Sequence, residues 1–170
     1  MQERPGQTSR RARPDTRARQ TVRDLVGLLT GADGRARLLS LAAVAALPRA
    51  PRRWVIDRLA AALRGKGADR RRRAADALTA LGRSAGPAVL LGLQRPGDPA
   101  WQVRHACVLA RLAPALGPGY RAEVARQVGL ARDLTGEEAV RRACEAARAA
   151  LLGEDSVSSD VSSARAAGHG

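Results

Sequence analysis

The feature that most constrains this chain is an internal repeat. Arg37, Arg72, Arg104 and Arg141 are spaced 35, 32 and 37 residues apart, and each is followed three residues later by a small side chain, Ser40, Ala75, Cys107 or Cys144. Apolar residues continue behind them at helical spacing, among them Ala43 and Leu47, Leu78 and Leu81, and Ala147 and Leu151. Each segment is preceded by a second amphipathic stretch, over residues 22–29, 55–63, 89–93 and 124–130. Turn formers such as Thr30 and Gly31, Gly65 and Gly67, Pro96 and Gly97, and Thr135 and Gly136 divide the two stretches of a unit; Pro48, Gly86 with Pro87, and Gly117 with Pro118 divide one unit from the next. The unit is therefore helix, turn, helix. One such pair cannot bury its apolar stripe alone, but stacked pairs build a continuous core. The expectation is an all-α solenoid of four helical pairs, about eight helices.

Composition agrees with helices. Hydrophobic residues make up 45% of the 170, enough for one domain with a core, yet aromatics are 2% and Phe is absent. The core must be built from Ala, Leu and Val. Ala and Leu favour helix, whereas a β-sandwich would call for more β-branched and aromatic residues. Asp33, Asp69, Asp98 and Glu137 fall at or near the starts of the second helices, where an acceptor or a negative charge is stabilising. Residues 1–16, basic and without periodic apolar residues, read as a disordered arm; residues 17–153 form the repeat domain; residues 154–170, rich in Ser, Gly and Ala, read as a flexible tail.

The net charge is +14, and all basic residues but Lys66 are Arg. Such an excess is the usual footprint of a nucleic-acid or anionic-surface binder. Codon bias toward Arg, Ala, Gly and Pro explains the same composition without function. No apolar run of ~20 residues spans a bilayer and none follows the basic N-terminal residues, so the expected setting is soluble and cytoplasmic, with no membrane role.

The repeats resemble the HEAT family, in its short bacterial HEAT-like form. The match is carried by Val89, Leu90, Leu91 and Leu93 of one apolar helix, Asp98 in the turn, then Val103 and Arg104, Ala106 and Cys107, and Leu112. Asp133, Val140 and Arg141, and Ala143 and Cys144 repeat it. The resemblance covers residues 18–152, with shorter periods than usual for the class, Arg71 where Val is expected, and Asp69 close to its second helix. It implies a convex face of first helices, a concave face of second helices, and polar caps at the ends, for which the arm and Glu145 with Arg148 are available. It also implies that the recurrent Arg residues stack in a ladder with turn Asp residues. The alternative reading of Arg37, Arg72, Arg104 and Arg141 is a surface for phosphates or carboxylates.

Other candidates are surface clusters. Residues 38–47 are apolar nearly all round a helix; Leu41 and Ala45 fall off the stripe set by Leu39, Ala43 and Leu47, and with Leu38 they form a face for a partner or a second copy. Arg10, Arg11 and Arg13 in the arm, Arg49, Arg52 and Arg53, and Arg70 with Arg73 are the candidates for nucleic acid, although charge runs also form plain solvated faces. Cys107 and Cys144 occupy equivalent places on the expected core stripe, as small hydrophobes without the ligand spacing of a zinc site. His105 faces elsewhere. No phosphate loop, nucleophile elbow or metalloprotease motif is present, so no catalytic residue, metal or cofactor is expected. The leading reading is a protein-interaction module; the rival is a nucleic-acid binder, and a third is an accessory or lyase subunit of a larger enzyme.

Overall fold

A computed structural model describes residues 16–153. The expectations for the arm and tail, including Arg10, Arg11 and Arg13, lie outside the described residues. Those residues form eight α-helices: α1 (Thr16–Thr30), α2 (Gly34–Ala46), α3 (Arg49–Ala62), α4 (Ala68–Ala80), α5 (Gly86–Gln94), α6 (Pro99–Leu112), α7 (Pro118–Leu134) and α8 (Glu138–Leu152). Short 3₁₀ turns, Gly82–Ala85 and Ala113–Ala115, lead into α5 and toward α7. The fold is all-α, and the helix–turn–helix units fall where the turn formers place them.

The turn acceptors act as expected at two starts. Asp33 accepts from the backbone N–H groups of Arg35 and Ala36 at 2.9 and 3.2 Å, and Asp98 accepts from Ala100 at 2.8 Å. Each satisfies donors that a helix start leaves unpaired. Asp69 instead lies inside the first turn of α4, after Gly67, whose φ of 89° suits glycine. Glu137 holds the N-cap position of α8 without a side-chain bond; the Thr135 hydroxyl accepts from its N–H at 3.2 Å.

Helices pair as α1 with α2, α3 with α4, α5 with α6 and α7 with α8. First helices pack on the next first helix, from α1 through α7, and α4, α6 and α8 pack in sequence as a second row. The core runs through all pairs, with Leu29, Leu59, Leu63, Leu78, Leu93, Leu109, Leu112 and Leu151 each below 2% exposed. Removing a residue of this kind costs about 2–5 kcal/mol. The first pair departs from the pattern: α4 packs against α1, and α2 makes no comparable contact with α4.

Burial also corrects the register of the repeat. The equivalent buried residues of the second helices are Ser40, Ala74, Ala106 and Cys144, spaced 34, 32 and 38 residues apart. Matching on Arg and a small residue slid two of the helices by one position. Arg37 and Arg141 therefore lie three residues before the buried position and Arg72 and Arg104 two, about 100° apart around a helix. The same slip misplaced two side chains. Cys107 is exposed, while Cys144 is buried and its thiol is pushed up to about 11 by desolvation. His105, expected to face away, is 1% exposed in the core. A Cβ at Gly92 of α5 would overlap the His105 ring, so this mid-helix glycine exists to admit an imidazole.

Candidate interaction surface

Helix α2 carries the largest departure from ordinary burial. Only Ser40 and Val44 are buried, with Leu41 and Leu47 packed half-buried beside the core. The opposite side, Leu38, Leu39, Ala42, Ala43, Ala45 and Ala46, is exposed, with Leu38 at 71% and Leu39 at 65%. The sequence expectation is thus corrected in detail. Leu39 and Ala43 are outside and not on the core stripe, and Leu41 is turned inward because the buried arc centres on Ser40 and Val44. Leu38 and Ala45 do lie on the outer face. In solvent, a helix apolar on both sides leaves unfavourable surface exposed. Leu28 of α1, 47% exposed, adds to the apolar surface of this pair.

The Arg candidates separate into different environments. Arg52 donates to the carbonyls of Ala45 and Leu47 at 2.6 and 2.7 Å, which terminates α2, so it is a helix cap and not a free phosphate ligand. Arg49 and Arg53 are exposed, Arg53 lying 4.0 Å from Asp57. Arg73 reaches across to the Thr30 carbonyl of α1 at 3.4 Å, and Arg104 to the Leu63 carbonyl at the end of α3 at 3.2 Å. These two bind one unit to the preceding one through the electronegative end of a first helix. Arg70 and Arg72 are exposed, and Arg37 is half-buried beside Gly34. Arg141 pairs with Glu138 at 3.4 Å on its own helix. No ion pair among the described residues joins Arg37, Arg72, Arg104 or Arg141 to Asp33, Asp69 or Asp98, so the ladder implied by the resemblance does not form.

Ion pairing concentrates in the C-terminal units. Arg126 forks onto Glu123 at 2.7 and 3.0 Å, and that fork, with Gln127, holds the Glu123 carboxyl down to about 2. Arg132 pairs with Asp133, and Arg141 and Arg142 both pair with Glu138. An open groove of about 520 Å³ runs between the turns of the third and fourth pairs, lined by Leu93, Gln94, Gln102, Gln127, Leu130 and Leu134 among others. Its amides are already engaged: Gln94 donates to Gln127 at 2.9 Å, and Gln102 to the Leu93 carbonyl at 3.2 Å. Trp101 lies under the Arg64 guanidinium at 5.9 Å and Tyr120 under that of Arg83 at 5.7 Å, in separate places. Among the described residues no cluster of His, Cys, Asp or Glu suits a metal ion, and no helix is long and apolar enough to cross a membrane.

No protein-family model, no curated protein and no solved structure matches the chain.

Proposed function

We propose that this chain is a non-enzymatic protein-interaction module, a soluble cytoplasmic HEAT-like solenoid of four helical pairs that receives a partner helix on the outer face of α2. The observation that carries this reading is the apolar solvent side of α2, where two leucines and four alanines follow one another without a charge. Small residues let a second helix approach closely, and the leucines supply the area. The order of pairing along the chain supports the solenoid, and helix-terminal guanidiniums that reach back to the preceding pair support its stacking.

Leu38→Glu combined with Leu39→Glu tests the reading. Both side chains are exposed, so circular dichroism and the urea midpoint are expected to stay near the wild-type values. Cross-linking in the native cell, quantified by mass spectrometry, is expected to lose the major cross-linked species. Unchanged cross-links in the folded variant refute the α2 surface. Leu41→Glu is unsuitable, because Leu41 packs against the core.

A second reading, contact with nucleic acid, is favoured by one specific observation. Residues 16–80 hold fifteen Arg and Lys against five Asp and Glu, and only one ion pair, Arg53 with Asp57, lies wholly within them.

A further inference from the structure

The turn between α3 and α4 gathers more cationic side chains than any neighbouring stretch. Arg104 donates to the Leu63 carbonyl at 3.2 Å and Arg71 to the Gly65 carbonyl at 3.1 Å. Arg64, in the same turn, covers Trp101 of α6. Arg73 is fixed to the end of α1 beside α4. These four Arg residues are half-buried, and Lys66, Arg70 and Arg72 stand exposed around them. Seven cations thus flank one turn, and the single acid in the stretch, Asp69, forms no ion pair with any of them.

The half-buried Arg132, by contrast, is neutralised by the Asp133 carboxylate. At the α3–α4 turn each half-buried Arg satisfies one donor on a backbone carbonyl or covers a ring, and a guanidinium has five N–H donors in a fixed fork. The remaining donors and the uncompensated charge call for an anion with several oxygens, and Arg forks fit phosphate bidentately. The cations are spread along an open edge, from Arg104 on α6 to Arg73 beside the end of α1. That spread suits successive phosphates of a chain better than one small ion.

We propose that the α3–α4 turn is a binding site for the phosphodiester backbone of a nucleic acid, with Arg64, Arg71, Arg73 and Arg104 as the ordered donors and Lys66, Arg70 and Arg72 as exposed phosphate contacts around them. This site rests on the second reading above and is independent of the α2 face. Phosphate contacts release counterions, so affinity falls steeply with salt in proportion to the contacts made.

The test uses the full chain and fluorescence anisotropy with a labelled 20-nucleotide single strand and the corresponding duplex, at ~50 to ~200 mM salt. Two variants of equal charge change are compared. One reverses the turn, Lys66→Glu, Arg70→Glu and Arg72→Glu. The other reverses exposed cations on the body of α3, Arg49→Glu, Arg53→Glu and Arg58→Glu. None of these six residues holds another element in place. The turn variant is expected to bind at least about tenfold more weakly and to lower the salt slope by about 3, one for each lost contact. The α3 variant is expected to stay within about threefold of wild type, as long-range charge alone predicts for a screened surface. Equal weakening by both variants overturns the site and leaves only a generally basic surface, with the nucleic-acid reading intact. No binding by the wild type overturns both. Full displacement by ~10 mM inorganic phosphate at constant ionic strength shows a small-anion site and overturns the backbone assignment.

Discussion

Helices α2 and α8 are the second helices at the two ends of the molecule, and their outer faces are opposites. The outer face of α8 carries Glu138, Arg141, Arg142 and Glu145, and Arg141 and Arg142 close onto Glu138. The outer face of α2 carries leucines and alanines. The end units of a stack need polar outer faces to stay soluble, and α8 meets that need where α2 does not. The charge follows a parallel division: residues 16–80 hold fifteen cations against five acids, and residues 81–153 ten against six. The C-terminal units hold four of the six ion pairs among the described residues, and their exposed leucines, Leu91, Leu130, Leu134 and Leu152, are dispersed over three helices. In the N-terminal units the exposed leucines Leu38 and Leu39 stand together on one helix, and only one ion pair lies wholly within residues 16–80.

The largest effects that would break or sharpen this contrast lie in the core. Leu109→Ala, in the well-packed third unit, is expected to cost about 2–5 kcal/mol in urea unfolding. Val44→Ala in α2 is expected to cost less, since α2 has fewer neighbours into which a loss can propagate; an equal or larger cost would show that α2 is as integral as α6. Next comes the junction of the two helices. Arg52→Ala removes both bonds that end α2, at an expected cost of about 1–3 kcal/mol, with protease cleavage appearing first near residues 45–48. Cleavage elsewhere would show that Arg52 is not what holds α2.

The pH dependence of stability is a third test. Burial lowers the basicity of His105; its bonding to the Trp101 carbonyl opposes this, and the charges of Arg64 and Arg104 add to the lowering. The unfolded chain therefore binds a proton at a higher pH than the folded chain does. The stability contributed by neutral His105 is fully present above its ordinary value of 6.5 and is lost as pH falls below it. The urea midpoint is expected to drop between pH 7 and 5, before the carboxylates titrate, and His105→Gln should flatten that slope. An unchanged slope would remove His105 as the source. The smallest effect is on the surface pairs of α8: Glu138→Gln is expected to leave the urea midpoint unchanged, because the carboxylate and its partners are exposed and screened by solvent.

Much of this was legible in the residues. The turn formers located every unit, and Asp33 and Asp98 marked the helix starts they cap. The excess of apolar residues on α2 was visible too, although not which of them would be outside. Helical spacing defines a stripe only up to a rotation when all sides are apolar, so Leu41 and Leu39 exchanged roles. The cationic cluster at the α3–α4 turn was visible only in part, as the run at residues 70–73. Arg64, Arg104 and Trp101 join it from separate segments, and no local pattern announces that convergence. Gly92 inside a helix was the one signal of the burial of His105, and it makes sense only once α5 lies against α6.

Sequence by itself determined the all-α class, the number of units and the positions of their boundaries. These depend on local chemistry: periodic burial, helix-capping acceptors, and the backbone limits of Gly and Pro. The tertiary structure alone decided the register of the repeat, the rotation of α2, the burial of His105 and the task of each Arg. Every one of these is set by which neighbour a helix face meets, and a guanidinium on a long flexible stem takes whatever carbonyl or carboxylate that packing brings within its reach.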